Sequence, residues 1–440
     1  MVFIHGGGFE NGSGSIPLYD GAYLSASQDA VVVTINYRLG AMGFLAGYGG
    51  LSGNYGLLDQ QLALRWVQAN VDAFGGDATD VMLFGESAGA MSTGLHMLSI
   101  PSSAGLFSAA LMESNPVGLP YKSMDVAALF GSALAKVLGC EDLDCLRSLP
   151  AQQIAGAQDD PSITQEGLLQ GFSGFLLWAP SIDGSLVVEQ PVTAAATGLP
   201  KPTTFGTNHD EGTLFIYPLL QALHQLPLSS GTYRLLVGSF FGGSNADPIL
   251  AAYPSNDQDN APVVSQLVSD YLFFCASRAI ASSGGSPVHA YFFSQLTNFN
   301  LWDLFPPMVP QCNGLVCHGD ELPYVFNSAT QILQMFTPDE ERLSQSIGDY
   351  WGGFSRPDHD PNSGGSARPT WPVFADDHSY LVLYTPIATV VDPPHHCDLW
   401  DGVGYLLIKP SSLLRNPALP GALIPAAPTH EKAAQPKASL

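Results

Sequence analysis

Short runs of apolar residues recur along the chain at intervals that suit buried strands. Each run is continuously apolar rather than alternating, which is typical of strands in a parallel sheet that is covered on both faces. Seven runs are predicted to be strands, namely Met1–Ile4, Val31–Tyr37, Val81–Phe84, Ala109–Met112, Thr203–Gly206, His289–Phe293 and Tyr380–Tyr384.

Segments with helical periodicity separate these runs. In residues 56–71, Leu58, Leu62 and Trp66 are spaced four residues apart, which predicts a helix with one apolar stripe. Residues 338–354 begin with a proline and three acids, a composition that favours a helix start because the acids suit the positive end of the helix dipole. Strands interleaved with helices predict an α/β fold with right-handed crossovers.

The long connections at 114–200 and 215–262 are helical and loop-rich in pattern, and we expect them to lie above the sheet and build a pocket. Aromatic residues of the first connection, Phe172, Phe175 and Trp178, suit either a pocket wall or core packing. From Pro417 onward the sequence is rich in Pro, Ala and Lys. This composition predicts a mobile tail at 416–440 after a single domain at 1–415.

Composition and charge narrow the classes of function. Hydrophobic residues make up 46% of the 440-residue chain, so a large core is possible. The 39 acidic and 15 basic residues give a net charge of -24, which would repel a nucleic acid backbone. The most apolar long stretch, residues 264–281, contains Asp270 and Arg278, so no membrane span is predicted. Residues 1–15 show no signal-peptide pattern.

The segment Gly85–Gly89, with the sequence Gly-Glu-Ser-Ala-Gly, carries the clearest catalytic signal. It follows a predicted strand and precedes the apolar helical stretch 90–100, and this context suits a serine held on a strained turn between flanking glycines. Ser87 is therefore the predicted nucleophile of an acyl-transfer reaction.

A second glycine-rich segment, His5–Phe9, also follows a predicted strand. The oxyanion of an attacked ester requires hydrogen-bond donors that are already in position. Backbone N–H groups of this segment, together with that of Ala88, can supply them. A phosphate-binding loop is the alternative, but the Lys-Ser/Thr pair that such a loop requires does not follow.

A serine nucleophile needs a histidine base. In α/β folds that carry the serine on a strand-to-helix turn of this kind, the histidine follows an acidic residue along the chain. That order excludes His5. His318, on a loop and followed by glycine, is the preferred base. The remaining candidates for the base are His209, His395 and His396.

The acid that orients the base is predicted to be Glu211, shortly after the strand ending at Gly206. Its neighbour Asp210 and the more distant Asp183 remain possible on spacing alone.

Several motifs resemble those of the type-B carboxylesterase and cholinesterase family, and the resemblance covers nearly all of residues 1–415. They are His5–Phe9, Asn36–Arg38, Asn54–Gln60, Phe74–Asp77, Phe84–Gly89, Asp210–Gly212, His318–Gly319 and Cys397–Asp401.

The resemblance implies an α/β-hydrolase fold and a serine carboxylesterase that needs no cofactor or metal and acts on small carboxylic esters. It favours Glu211 over Asp210 as the acid and assigns the oxyanion glycines to Gly7 and Gly8. Glu86 is similar to a buried family glutamate that supports the site. Because family members carry strands before the His-Gly-Gly-Gly segment, the chain is expected to lack an N-terminal part, so choline-ester specificity stays open.

The resemblance also implies disulfides Cys140–Cys145 and Cys275–Cys397. Cys312 and Cys317 are left, and with His318 they would make an incomplete metal site, so a third disulfide is predicted. Three disulfides indicate an oxidising compartment, and we expect the protein to be secreted or periplasmic.

Two other functions are compatible with the resemblance. The fold could serve as a non-catalytic binding or adhesion protein, or the chain could be an inactive truncated esterase. The presence of a serine, a glutamate and a histidine in family positions favours the enzyme.

Overall fold

The structure, a computed structural model, describes residues 1–364, 368–375 and 377–405. The predicted tail at 416–440 lies outside these residues. The described residues contain ten strands, β1 Val2–Ile4, β2 Val33–Ile35, β3 Met82–Glu86, β4 Ala109–Glu113, β5 Lys122–Ser123, β6 Ser181–Ile182, β7 Thr203–Asn208, β8 Val288–Phe293, β9 Ser379–Leu383 and β10 Ala388–Val391.

Eight of these strands form one sheet in the order β10-β9-β8-β7-β4-β3-β1-β2. All neighbouring pairs are parallel except β10 with β9. The seven predicted strands all occur in this sheet, which confirms the predicted α/β architecture. The predicted loop-rich connection 114–200 contains one exception, since β5 and β6 pair as a separate two-stranded sheet.

Helices cover both faces of the sheet, and apolar residues are buried on each side of it in two large clusters. The α-helices are α1 Ala22–Gln28, α2 Gly40–Phe44, α3 Tyr55–Asn70, α4 Ala88–Leu98, α5 Met124–Leu138, α6 Leu143–Ser148, α7 Ala151–Ala157, α8 Pro161–Leu168, α9 Pro191–Ala195, α10 Thr213–Ala222, α11 Ser230–Phe241, α12 Gly243–Ala252, α13 Ala261–Val268, α14 Cys275–Ala281, α15 Leu322–Phe326, α16 Pro338–Phe354 and α17 Cys397–Val403. A π-helical segment, Ser269–Phe274, joins α13 to α14. Within the described part of the chain, no helix has the length and apolarity to cross a membrane.

Helix α3 forms where it was predicted, but it buries a different face. Leu58, Leu62 and Trp66 of the expected apolar stripe are 41%, 65% and 48% exposed. Gln60 and Gln61 are buried instead and hydrogen-bond serine hydroxyls at Ser92, Ser102 and Ser103. The buried face also contains Leu57, Leu64 and Val67, so apolar and polar side chains together hold this helix against its neighbours.

Parallel pairing brings the carboxyl ends of β1, β3 and β7 to the same edge of the sheet. The segment His5–Phe9 follows β1, Ser87 follows β3, and Glu211 lies three residues after β7. A bridge between Asp210 and Cys317 then attaches the loop that carries His318 to the same edge. The topology thus collects segments that are more than 300 residues apart in sequence.

Candidate active site

Ser87 occupies a strained turn between β3 and α4. Its φ of 57° and ψ of -122° lie in a region that residues with a Cβ rarely adopt. A Cβ on Gly89 would lie 1.8 Å from the carbonyl oxygen of Ile4, so only glycine fits where α4 crosses β1. The Ser87 amide donates to the Glu113 carbonyl at 3.0 Å. The turn holds the Ser87 side chain at the start of α4, as the sequence pattern predicts.

His318 and Glu211 form a buried pair. Nδ1 of His318 lies 2.5 Å from Oε2 of Glu211, and the two side chains are 3% and 1% exposed. The other Glu211 oxygen accepts the Asn208 amide at 2.7 Å. The carboxylate therefore fixes the orientation of the imidazole and makes Nδ1 the protonated nitrogen of the neutral ring.

The alternative acids have other partners. Asp210 accepts the Val316 amide at 2.9 Å and lies 3.0 Å from Nδ1 of His209. Asp183 accepts backbone amides of its own loop and an amide proton of Asn54. Neither carboxylate contacts His318, so Glu211 is the one that the fold brings to this histidine.

The alternative bases also lie elsewhere. His209 pairs with Asp210 at the surface, His395 lies 2.7 Å from a carboxylate oxygen of Asp270, and His396 packs against Tyr253. These three histidines lie outside the cluster formed by Ser87, Glu86, Glu211 and His318.

Glu86 approaches the second ring nitrogen of His318. Its Oε1 lies 3.1 Å from Nε2, and both side chains are buried. Among the described residues Nε2 has no hydrogen-bond partner, so the expected hydrogen bond to the Ser87 hydroxyl is not formed. Catalytic hydrogen bonds are often long or unformed without substrate. The imidazole is thus held between two carboxylates, one at each nitrogen.

Burial and charge set the titration of this cluster. Burial lowers the pKa of His318, but the charges of Glu86 and Glu211 and the hydrogen bond to Glu211 outweigh it, so the net pKa is raised. Burial raises the pKa of Glu86, and the positive charge of protonated His318 acts in the opposite direction. The proton affinity of the histidine therefore depends on its two carboxylate neighbours.

The segment that carries the predicted oxyanion glycines passes beside Ser87, since a Cβ on Gly6 would lie 2.9 Å from the Ser87 Cβ. Gly7 and Gly8 have φ of 106° and 64°, and a Cβ on Gly7 would lie 2.3 Å from the Asn11 carbonyl oxygen. In the described part of the chain, the amides of Gly7, Gly8 and Ala88 donate to no other group. Three free N–H groups next to a serine can stabilise a developing negative charge.

Aromatic side chains surround the histidine. Phe215 and Phe273 contact the His318 ring edge-on with centroid distances of 4.9 and 5.3 Å, and Phe175 packs on Phe215 at 6.3 Å. Leu176 lies 3.7 Å from where a Gly8 Cβ would be. Phe175, Leu176 and Phe215 of this apolar wall come from the two long connections, as predicted, whereas Phe273 comes from the π-helical segment.

The other two aromatic candidates of the first connection belong to the core. Phe172 packs against Phe240, Phe241 and Tyr271, and Trp178 is 1% exposed. Of the three, Phe175 alone joins the chain of rings that leads to His318.

Sequence reasoning missed several residues that hold the loop of His318. Trp302 donates its indole N–H to the His318 carbonyl at 2.8 Å, and Asn208 donates to the Cys317 carbonyl at 2.8 Å and to Glu321. Asp320 accepts the Cys317 amide at 2.7 Å. Asp320 and Glu321 lie two and three residues after His318, and this position is the one local signal for them, whereas Trp302 lies 16 residues before His318 in a separate segment.

The three predicted disulfides are present, namely Cys140–Cys145, Cys275–Cys397 and Cys312–Cys317. The alternative of Cys312 and Cys317 as metal ligands is therefore not the arrangement found. The Cys312–Cys317 bond closes the loop immediately before His318.

Removing the Cys312–Cys317 bond by a double change to serine is expected to lower both stability and kcat. Loop closure contributes about 2 kcal/mol to the free energy of unfolding for so short a loop, and the His318 loop would gain freedom. The matched control is the same change at Cys140 and Cys145, whose sequence separation is also 5. Denaturant unfolding should show similar losses in both variants, whereas only the first should lose kcat. Equal kcat in the two variants would contradict a role for this disulfide in the site.

Replacing Glu86 with glutamine is expected to move the acid limb of the kcat/KM profile to lower pH by about one pH unit. His318 accepts a proton only when it is neutral, so activity rises with pH through its pKa. Removing a neighbouring negative charge lowers that pKa. Glu189→Gln, which removes an exposed carboxylate, should leave the profile unchanged. An unmoved acid limb in Glu86→Gln would contradict the coupling of the two groups.

Comparison with known proteins shows which proteins this chain is similar to. Residues 1–400 match the sequence profile of the Carboxylesterase family. The chain is 36% identical over 421 residues to the crystal protein of Dictyostelium discoideum, covering 92% of this chain and 74% of that protein.

Two further relatives carry names that describe an activity. Identity is 32% over 429 residues with mouse cholinesterase, covering 91% of this chain and 68% of the relative. It is 34% over 408 residues with para-nitrobenzyl esterase of Bacillus subtilis, covering 89% and 77%. A solved structure of a PNB esterase superimposes with a TM-score of 0.73 at 32% identity, covering 89% of this chain and 79% of that one.

Proposed function

This chain belongs to the carboxylesterase family, and we propose that it hydrolyses small carboxylic esters through an acyl-enzyme on Ser87. In this proposal His318 is the general base, Glu211 orients it, and Gly7, Gly8 and Ala88 form the oxyanion hole. The observation that carries the proposal is the buried contact of 2.5 Å between His318 and Glu211 at the sheet edge where Ser87 lies on a strained turn.

Acylation begins when Nε2 of His318 takes the Ser87 proton and Oγ attacks the ester carbonyl carbon. Nε2 now lies against Glu86, so a change in side-chain torsion must bring it and the hydroxyl together. The developing imidazolium is stabilised by Glu211, and the oxyanion by the three free amides. The protonated histidine then gives its proton to the leaving alcohol.

Deacylation repeats these steps with water as the nucleophile. His318 removes a proton from water, the new tetrahedral oxyanion occupies the same amides, and its collapse returns the proton to Ser87 and releases the carboxylic acid. Glu86 has a supporting role because its charge raises the proton affinity of the base. No cofactor is required by these steps.

The apolar walls support a substrate with an uncharged, apolar body. Phe215 and Phe273 contact the base itself, and Leu176 lies next to the oxyanion segment. These walls favour apolar acyl or alcohol groups because their burial is worth about 25 cal/mol per Å². A charged acyl chain would lose hydration without finding a partner here.

A series of p-nitrophenyl esters tests this function. The purified chain should release p-nitrophenol, with kcat/KM rising from acetate to butyrate as apolar area is buried, and with no loss in the presence of a chelator. The anionic p-nitrophenyl succinate, matched to butyrate in length, is the control and should be a poorer substrate. Folded protein that hydrolyses none of these esters would contradict the proposal.

We also propose that the protein acts in an oxidising compartment outside the cytosol. Three disulfides support this location because thiols in the cytosol are kept reduced.

A further inference from the structure

A cleft of about 650 Å³ opens on a part of the surface that shares no residue with the candidate active site. Its wall combines the ends of α12 and α13 with the segment 393–396, which precedes α17. Three histidines line it, His209, His395 and His396, beside the aromatic rings of Tyr253 and Phe292. A cleft of this size can hold a small organic molecule.

His395 is held in this cleft by a buried carboxylate. Nδ1 of His395 lies 2.7 Å from Oδ1 of Asp270, a side chain that is 2% exposed, and the ring stacks on Phe274 at 3.7 Å. Asp270 also accepts the Tyr253 hydroxyl at 2.5 Å and a Gln266 amide proton at 2.9 Å. Four contacts therefore fix His395 and its partner in place.

The Asp270 contact leaves Nε2 of His395 as the free nitrogen of the ring. No described residue hydrogen-bonds this atom. A neutral imidazole whose Nδ1–H donates to a carboxylate carries a lone pair on Nε2. His209 also lines the cleft, and its Nδ1 lies 3.0 Å from Asp210, whose hydrogen bond raises the pKa of His209. Nε2 of His395 is thus a hydrogen-bond acceptor whose orientation is fixed by a buried carboxylate.

The charged side chains of the cleft favour a ligand with a positive charge. Asp270 lines the cleft and Asp210 lies behind His209, whereas no lysine or arginine is among the described lining residues. The net charge of -24 adds a negative field at longer range. A positive group is attracted by these carboxylates, and aromatic rings such as those of Tyr253 and Phe292 also favour cations.

We propose that this cleft binds an organic ammonium ion with an apolar or aromatic body. The ammonium N–H donates to Nε2 of His395, with the charge of Asp270 behind the imidazole, and the body packs among the rings and prolines of the wall. An anion of the same shape meets the Asp270 and Asp210 carboxylates and, among the described lining residues, no lysine or arginine.

Isothermal titration with benzylammonium chloride tests this site directly. The protein is first treated with a fluorophosphonate so that Ser87 is blocked, and binding is then compared with that of benzoate and benzyl alcohol, which share the ring. Benzylammonium should bind at one site, at least about tenfold more tightly than either analogue, since tenfold corresponds to 1.4 kcal/mol. Tighter binding of benzoate, or equal binding of all three probes, would overturn the assignment.

Two variants locate the binding event. His395→Gln removes the imidazole, and Val263→Trp fills part of the cleft at a lining residue that makes none of the hydrogen bonds to Asp270. Each should weaken benzylammonium at least tenfold, while His359→Gln, outside the cleft, should not. Unchanged affinity in a folded Val263→Trp protein would overturn the proposal even if His395→Gln failed to fold.

The proposal for the cleft and the esterase proposal can be contradicted independently of each other. If no fluorophosphonate adduct forms, the esterase mechanism is contradicted, and the same titration on untreated protein still tests the cleft through Val263→Trp.

Discussion

Replacing Ser87 with alanine is expected to lower kcat for ester hydrolysis on the order of 10⁶-fold. In the proposed mechanism the Ser87 hydroxyl supplies the oxygen that bonds to the substrate, and no other group in the proposed site takes over acylation. Alanine keeps a Cβ at the same positive φ, so the strained turn and its backbone hydrogen bonds remain. Steady-state kinetics with p-nitrophenyl butyrate would measure the loss.

The control for this variant is Ser132→Ala, at an exposed position on α5. It should retain the parent kcat and KM. A Ser87→Ala protein that keeps more than a small fraction of the parent kcat, after contaminating activity is excluded, would show that the nucleophile is another residue.

Replacing Glu211 with glutamine is expected to lower kcat about 10⁴-fold. Glutamine keeps the shape of the side chain but removes the charge that stabilises the imidazolium, and it can present an N–H to Nδ1 and so select the wrong tautomer. The loss should be smaller than for Ser87→Ala because the nucleophile, the base and the oxyanion amides all remain.

Asp210→Asn is the matched comparison for Glu211→Gln. Asp210 is the adjacent carboxylate, but it contacts Val316 and His209 rather than His318. We expect Asp210→Asn to lower kcat by no more than about tenfold, because the His318 loop becomes less rigid. A large loss in Asp210→Asn with little change in Glu211→Gln would show that the orienting acid is misassigned.

The strands could be predicted from the sequence because their burial requires a recognisable pattern of apolar residues. Each central strand is covered on both faces, so its run of apolar residues is unbroken. The buried face of α3 could not be predicted in the same way. Gln60 and Gln61 are buried where they hydrogen-bond hydroxyls of Ser92, Ser102 and Ser103, and Gln60 also bonds His96. The spacing of apolar residues carries no information about such partners.

The site was predictable in its residue types but not in its contacts. The strand-turn-helix context of Ser87 and the chain order of acid and histidine follow from the sequence, and the structure brings His318 to Glu211 rather than to Asp183 or Asp210. The approach of Glu86 to Nε2 depends on side-chain torsions, which motif spacing does not determine. The support from Trp302 depends on how the chain folds back between residues 302 and 318, which no motif predicts.

Fluorophosphonate labelling followed by peptide mass spectrometry is the most direct measurement of the proposed chemistry. The folded protein should form one adduct, on Ser87, and labelling should be slowed strongly in His318→Ala and absent in Ser87→Ala or in urea-unfolded protein. Folded protein that stays unlabelled, or an adduct on a different serine, would contradict Ser87 as a nucleophile activated by His318.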